Sequence, residues 1–159
     1  LEWLVDIFGI PKTISCLKDK ISELDADIDD IYQLQLQFEN GMMGNLIVEV
    51  LSQPAVNIIR VVGTKGTIEF NQHENKFRLY KTEEEKWVQI ELNKGLAEED
   101  YIYAEEPYVE EMKDFISGIL GEKQYPYTFA DDLKILNQLQ KAEQSADQGS
   151  HIKTIPNHQ

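Results

Sequence analysis

The sequence predicts an α+β fold, with a mostly antiparallel sheet of about six strands that packs one face against two or three helices. Between residues 31 and 92, short alternating apolar and polar stretches follow one another without a helix between them, as antiparallel strands do. Helical periodicity is confined to residues 1–8 and to the stretch after residue 104. Two or three helices cannot cover both faces of a six-stranded sheet. One face of the sheet is therefore left open.

Length, charge and cysteine content limit the classes of protein. The 159 residues, 42% of them hydrophobic and 28% charged, suffice for one globular domain. The net charge of -14, from 29 acidic and 15 basic residues, argues against nucleic acid and an anionic membrane surface as partners. No apolar run reaches the ~20 residues of a membrane span, and the opening residues lack the pattern of a signal peptide. Since Cys16 is the single cysteine, we expect no disulfide, a strand role for Cys16 and a cytoplasmic protein.

The first helix is predicted over residues 1–8, and Gly9 and Pro11 end it. Its apolar residues fall at helical spacing: Leu1, Trp3, Leu4, Ile7 and Phe8. No Ser, Thr, Asp or Asn stands before this apolar stripe as an N-cap, so we interpret the chain as a fragment of a longer protein. An edge strand is predicted next, over residues 13–17.

An acidic stretch follows at residues 23–30. Its aspartates, Asp25, Asp27, Asp29 and Asp30, resemble a calcium-binding loop only loosely, because the glycine and distant glutamate of an EF-hand are not in place. We therefore expect a solvated loop that leads into a strand.

The clearest strand lies at residues 32–38, where Tyr32, Leu34, Leu36 and Phe38 alternate with Gln33, Gln35 and Gln37. Residues 39–42 form a turn in which Asn40-Gly41 supplies a positive φ, and Gly44 serves a bulge or a close approach. The return strand, 45–52, is apolar on both faces. It is therefore central, or its second face meets another protein surface.

Four further short strands are predicted after Pro54, over residues 57–62, 67–70, 76–81 and 87–92. Gly63 and Gly66 belong to the turn between the first two. A polar loop at 93–104 precedes a helix at 105–120, whose apolar stripe is Tyr108, Met112, Phe115 or Ile116, and Ile119. Thr128, with Asp131 as reciprocal cap, begins a last helix that runs to about residue 147. Its inward side chains are predicted to be Phe129, Leu133, Leu136, Leu139, Ala142 and Ala146. A short strand at 151–155 and a frayed tail at 156–159 complete the chain.

No motif in the sequence assembles a catalytic site. Gly63-Thr64-Lys65-Gly66 lacks the spacing of a phosphate loop and precedes a strand, so it is a hairpin turn. The sequence has no nucleophile elbow, CxxC or HExxH. We predict no catalytic, cofactor-binding or metal-binding residue in this chain.

The order of several short motifs is similar to that of a known family. Leu1-Glu2-Trp3-Leu4, Phe8-Gly9-Ile10-Pro11 and Asp27-Ile28-Asp29-Asp30 come first. Phe38-Glu39-Asn40-Gly41-Met42-Met43-Gly44 and Gly63-Thr64-Lys65-Gly66-Thr67-Ile68 follow. The last are Tyr108, Glu111, Met112 and Phe115, then Asp131 or Asp132, Leu136, Ala142, Ser145 and Gly149. Over nearly its whole length the chain resembles the carboxyl-terminal domain of the Gfo/Idh/MocA oxidoreductases.

The resemblance implies a GAPDH-like C-terminal domain at residues 1–155, which follows a Rossmann domain that is absent from this chain. In the family that domain binds NAD or NADP and carries the catalytic lysine, and a later Asp and His would lie before Leu1. Relatives associate through the open sheet face, which implies a homo-oligomer with Gln33, Gln35, Gln37 and Arg60 at its interface. Gly41, Gly44, Gly63 and Gly66 carry over as structural turn residues.

The sequence is compatible with two functions. The chain is either the substrate-side and oligomerisation domain of an NAD(P)-dependent oxidoreductase for a sugar, polyol or sugar nucleotide, or a stand-alone binding or assembly module that uses the open sheet face. In the first case the fragment is inactive alone and holds no cofactor. The choice between NAD and NADP is made in the Rossmann half.

Overall fold

The computed structural model describes residues 1–72, 74, 76–91, 106–150 and 152–153. The chain divides into two compact units, the first formed by Leu1–Leu51 and Tyr127–Gln159 and the second by Ser52–Pro126. The described elements are α1 (Glu2–Phe8), β1 (Thr13–Asp19), β2 (Ile31–Gln37), β3 (Met43–Glu49), β4 (Ile58–Gly63), β5 (Gly66–Asn71), β6 (Lys76–Lys81), β7 (Lys86–Glu91), α2 (Glu106–Ile119), α3 (Phe129–Gln148) and β8 (Ile152–Lys153). The α+β class and the antiparallel pairing are confirmed. The strands lie in two four-stranded sheets, one in each unit, rather than in a single sheet.

The sheet of the first unit has the strand order β3-β2-β1-β8. The predicted edge strand, β1, is interior, because the two residues of β8 pair with Thr13 and Ile14. In the described part of the chain, β3 lies at the end of this sheet, so its interpretation as a central strand is wrong. The alternative, that its second face meets another protein surface, stays a prediction.

The core of the first unit lies between β1, β2 and the two helices. It consists of Leu4, Ile14, Cys16, Leu34, Leu36, Phe38 and Ala142, which are all buried. The alternation predicted for β2 is confirmed, since Leu34 and Leu36 are buried and the glutamines between them are exposed. The ring of Phe8 meets that of Phe38 edge-on at 6.1 Å, which fixes α1 over the end of β2.

Helix α3 packs on β1 through a face that differs from the predicted one. Phe129, Leu133, Leu136 and Leu139 are exposed, from 44% for Leu139 to 96% for Phe129, so their predicted inward position is wrong. The buried residues are Gln138, Ala142 and Ser145, while Ala146 is half-buried. The inward position predicted for Ala142 is confirmed. Small side chains such as Ala142 and Ser145 let a helix backbone lie close to a strand.

Both ends of α3 are fixed by local hydrogen bonds. The predicted capping box is confirmed: the Asp131 N–H donates to Thr128 Oγ1, and Asp131 Oδ2 accepts from the Thr128 N–H. At the other end Gly149 adopts a left-handed φ of 59°, and its N–H donates to the carbonyl oxygens of Ala146 and Ser145.

The sheet of the second unit is a meander in the order β4-β5-β6-β7, in which every strand pairs with the next along the chain. Gly66 has no room for a side chain, since an added Cβ would lie 2.1 Å from the carbonyl oxygen of Tyr80. In α2 the predicted apolar stripe is exposed, with Met112 at 55% and Ile119 at 69%. Gly121, with a φ of 72°, follows the end of α2, and the loop predicted at 93–104 and the tail at 156–159 lie outside the described residues.

Candidate functional site

The three glutamines predicted at an interface do lie together on one sheet face. Gln33 pairs with Leu17 on β1 and with Ile47 on β3, and paired residues point to the same side of a sheet. We call this surface the open face of the first sheet: Leu17, Gln33, Gln35, Gln37, Met43, Asn45 and Ile47. Leu17, Met43 and Ile47 are 70%, 79% and 63% exposed, so the face mixes apolar and amide side chains. The structure thus adds three apolar residues to a face that the sequence described as polar.

Arg60, the fourth predicted interface residue, lies in the other sheet. It stands on β4, where its Nε is 3.4 Å from Glu69 Oε1. Arg60 therefore does not share a sheet with the glutamines, and the single-sheet interpretation that grouped them is corrected by the division into two units.

Two of the predicted turn glycines belong to the hairpin between β2 and β3. Gly41 has a φ of 83°, and the turn is closed by the Phe38 N–H, which donates to the Met42 carbonyl oxygen over 2.9 Å. Gly44 serves neither a bulge nor a close approach, because the register runs through it unbroken and an added Cβ would meet Phe38 at an ordinary 3.9 Å. The alternatives stated for Gly44 are therefore both wrong.

Ser145 joins α3 to the strand that it covers. Its hydroxyl accepts a hydrogen bond from the Cys16 N–H over 3.0 Å and donates to the Ser150 carbonyl oxygen over 2.5 Å. Among the described residues, β8 pairs with Thr13 and Ile14 of β1. Ser145 supplies the acceptor for the Cys16 N–H, two residues further along β1. The sequence motif includes Ser145 by its spacing alone, and nothing in that spacing predicts its hydrogen bonds to Cys16 and Ser150.

A group of charged residues ties together the loop before β2 and three elements of the first unit. Lys18 Nζ lies 3.0 Å from Asp29 Oδ2 and also contacts Glu143, while the Tyr32 hydroxyl donates to Glu143 Oε1 over 2.9 Å. The hydrogen bonds to Glu143 and Asp29 raise the pKa of Lys18. Burial, together with the Glu143 hydrogen bond, raises the pKa of Tyr32 to about 12. Lys18 and Tyr32 therefore both stay protonated at neutral pH, and their contacts with Asp29 and Glu143 join β1 and β2 to α3.

Asp30 is a structural residue in the acidic stretch. It is 3% exposed, and its carboxylate accepts from the N–H groups of Ile21 and Ser22 and from the Ser22 hydroxyl. These bonds, led by the one from the Ser22 hydroxyl, lower the pKa of Asp30. The prediction of a solvated loop is therefore wrong for Asp30, whereas residues 23–28 are exposed as expected.

The described residues do not assemble a reactive centre. Cys16 is a buried strand residue, as predicted, and burial is the main cause that raises the pKa of its thiol. Across the described ranges, no three His, Cys, Asp or Glu side chains come together as a metal site. Among the same residues no helix has the length and apolar character to cross a membrane.

The family of the chain follows from a comparison of its sequence with family models. The Gfo/Idh/MocA model described as "Oxidoreductase family, C-terminal alpha/beta domain" matches residues 4–154. This chain belongs to that family. The match confirms the resemblance that the motif order indicated. The Gfo/Idh/MocA turn and helix motifs now have structural roles, since Ala142 packs on β1, Ser145 bonds to Cys16 and Gly149 ends α3.

Solved structures of oxidoreductases share the fold. An oxidoreductase from Agrobacterium radiobacter in complex with NAD+, L-tartaric acid and magnesium is 16% identical, with a TM-score of 0.72, over 94% of this chain and 45% of its own. Levoglucosan dehydrogenase in complex with NADH and levoglucosan is 16% identical, with a TM-score of 0.76, over 94% of this chain and 46% of its own. The WlbA dehydrogenase from Bordetella pertussis, in complex with NADH and UDP-GlcNAcA, is 18% identical, with a TM-score of 0.70, over 98% and 44%.

At these identities the likeness concerns the fold alone. The chain spans less than half the length of each of these three structures. A comparison with curated proteins gave no match.

Proposed function

We propose that this chain is the substrate-side and oligomerisation domain of an NAD(P)-dependent oxidoreductase that acts on a sugar, polyol or sugar nucleotide in the cytoplasm, and that it is inactive alone. One observation carries the proposal: the family match covers residues 4–154, while structures of that fold are about twice as long. Levoglucosan and UDP-GlcNAcA, bound by two of those structures, support the sugar-type substrate.

The described residues do not fit a dinucleotide. A Rossmann site needs a glycine-rich turn between a parallel strand and a helix N-terminus. All strand pairs that the structure describes are antiparallel, and the Gly63–Gly66 turn leads into β5 instead of a helix. NAD or NADP would therefore be held by another part of the parent protein, and it would exchange a hydride with a carbinol carbon of the substrate. This chain would contribute a wall of the substrate pocket.

Titration with NADH and NADPH tests the proposal. The chain of residues 1–159 should bind neither, while the complete gene product should bind at least one, as seen by the rise of nicotinamide fluorescence. Circular dichroism of the chain checks that the unbound protein is folded. Tight binding of either cofactor by residues 1–159 would contradict the domain assignment, and failure of the complete gene product to bind would remove the oxidoreductase function.

The open face of the first sheet is our proposed oligomer interface. Exposed Leu17, Met43 and Ile47 around the glutamines give it apolar surface that association would bury. Replacing Gln33, Gln35 and Gln37 together by glutamate should reduce the mass found by sedimentation, since three buried like charges per subunit oppose contact. The matched control replaces three exposed glutamines elsewhere by glutamate, Gln124, Gln140 and Gln144, with the same change in net charge. Equal masses for both variants would exclude this interface.

The same exposed residues favour a second candidate, a stand-alone binding or assembly module. The two candidates differ in what the gene encodes before Leu1. An intact-mass measurement of the natural protein decides between them, because a mass near 18.4 kDa supports the module and a mass about twice as large supports the oxidoreductase.

A further inference from the structure

The second sheet carries a basic and aromatic surface that the proposed function does not use. Arg60 and Arg78 are the only arginines in the chain. Arg60 on β4 pairs with Glu69 on β5, and Glu69 pairs with Arg78 on β6. The three side chains therefore form one row across adjacent strands on the same sheet face.

Glu69 holds the two guanidinium groups in place without using up their donors. Arg78 Nη2 lies 2.5 Å from Glu69 Oε2, and Arg60 Nε lies 3.4 Å from Glu69 Oε1. Each guanidinium has five N–H donors, and each side chain remains accessible, at 64% exposure for Arg60 and 47% for Arg78. Two cations that share one carboxylate leave a net positive charge on this row.

The indole ring of Trp87 contacts the guanidinium of Arg78. The guanidinium carbon of Arg78 stands 5.0 Å from the centre of the indole ring, and Tyr80 packs against the same indole with ring centres 5.4 Å apart. A guanidinium that already contacts an aromatic ring loses less freedom when its free edge binds an anion.

The row borders a groove of about 260 Å³. Its side chains include three cations and two carboxylates: Arg60, Lys76, Arg78, Glu69 and Glu74. The groove is therefore positive by one charge in a chain whose net charge is -14. Pockets for whole ligands have volumes of roughly 300–1,000 Å³, so this groove suits one charged group of a larger molecule.

We propose that this face of the second sheet, from Arg60 across Glu69 to Arg78, binds the anionic group of a small molecule, a carboxylate or a phosphate. Arg78 presents the fork of its guanidinium to the anion, Arg60 supplies a second donor, and Glu69 sets their separation. Carboxylate and phosphate share the geometry that an arginine fork recognises. The site lies within the second unit and goes beyond the proposed function, so it stands whether or not the parent protein is an oxidoreductase.

The test uses Trp87 as its reporter. In the Trp3→Phe variant Trp87 is the sole tryptophan, and its fluorescence is followed on addition of inorganic phosphate or malonate at constant ionic strength. We expect a saturable change with at least one of the two anions. Arg60→Gln and Arg78→Gln should weaken that binding about tenfold or more, the effect of one charge-assisted hydrogen bond. Arg78→Lys keeps the charge but not the fork, so it should bind more weakly than the parent variant.

Lys113→Gln is the matched control, because Lys113 is an exposed ion-paired cation of α2 in the same unit. Its affinity should change less than twofold. Saturation by phosphate alone identifies a phosphate site, and saturation by malonate alone identifies a carboxylate site. The proposal is overturned if neither anion gives a saturable change, or if Arg60→Gln, Arg78→Gln and Lys113→Gln all bind equally. It is also overturned if the arginine variants alter only the sedimenting mass, which would make this face a protein contact. Circular dichroism of each variant confirms that it is folded.

Discussion

Replacing Ser145 by alanine tests how α3 is attached to the first sheet. The serine is 1% exposed, and its hydroxyl accepts from the Cys16 N–H over 3.0 Å and donates to the Ser150 carbonyl oxygen over 2.5 Å. Alanine removes both bonds and keeps the small size that α3 needs against β1.

The expected loss of stability is large because the Cys16 N–H is left buried without a hydrogen-bond acceptor. A buried N–H without an acceptor costs about 1–3 kcal/mol, and the second hydrogen bond contributes about 0.5–1.5 kcal/mol. Together they predict that Ser145→Ala lowers the free energy of unfolding by about 1.5–4.5 kcal/mol. Domains of this size have about 5–15 kcal/mol in total, so the first unit should unfold at a clearly lower urea concentration.

Urea unfolding followed by Trp3 fluorescence measures the effect, in a Trp87→Phe background so that the signal comes from the first unit. Ser150→Ala is the matched control, because only the main-chain carbonyl of Ser150 takes part in this bond. Amide exchange adds a local reading, since the Cys16 N–H should lose protection in Ser145→Ala. If Ser145→Ala and Ser150→Ala unfold at the same urea concentration, the proposed role of Ser145 is wrong.

The remaining predictions concern a close approach, a helix cap and a carboxylate. Gly66→Ala should lower the thermal midpoint by several degrees, because the new Cβ would lie 2.1 Å from the Tyr80 carbonyl oxygen; Gly63→Ala, with 3.8 Å to its nearest neighbour, should change it little. Thr128→Ala should cost about 1 kcal/mol in urea unfolding through loss of the cap, and a change near zero would refute that. Hydrogen bonds from Lys134 and Thr128 lower the pKa of Asp131 to about 2, so its contribution to stability is present above pH 3.8 and disappears as pH falls towards 2. The stability difference between the wild type and Asp131→Asn should shrink over that interval.

The sequence predicted correctly those elements whose structure depends on residues close together in the chain. The alternation of Leu34 and Leu36 with glutamines predicted both the strand and its buried face, because a strand has a period of two residues. The Thr128 cap and Gly149 placed the ends of α3 within a residue or two, since both act through adjacent backbone groups.

The buried face of α3 was missed because hydrophobicity was the wrong criterion there. The largest apolar side chains, such as Phe129 and Leu133, are exposed, while the buried residues of α3 are Gln138, Ala142 and Ser145. Ser145 is buried there because the Cys16 N–H needs a hydrogen-bond acceptor, and Ala142 is buried there because α3 lies close to β1. Both conditions arise from packing between segments far apart in the sequence, so a helical stripe cannot reveal them.

Long-range organisation was likewise beyond the sequence. Which strands share a sheet depends on pairings between distant segments, so one sheet was predicted where two exist. Asp30 has the same side chain as Asp25 and Asp27. It differs from them because the loop brings it next to Ile21 and Ser22, whose N–H groups donate to its carboxylate. The open face of the first sheet was predicted for its glutamines, while its apolar residues came from β1 and β3 through the register.

The division of the first unit between two distant segments has a consequence for folding on the ribosome. Cys16 and Ser145 are separated by 129 residues, so β1 emerges roughly 6–26 s before the helix that completes it, at about 5–20 residues per second. The second unit is continuous, and its hairpins join only neighbouring strands, which favours early and rapid pairing. During that interval the apolar side of β1 and β2 has no helix α3 to cover it. A nascent chain stalled after residue 126 should therefore bind chaperones through these strands, and a chain from which α3 has also emerged from the ribosome should release them.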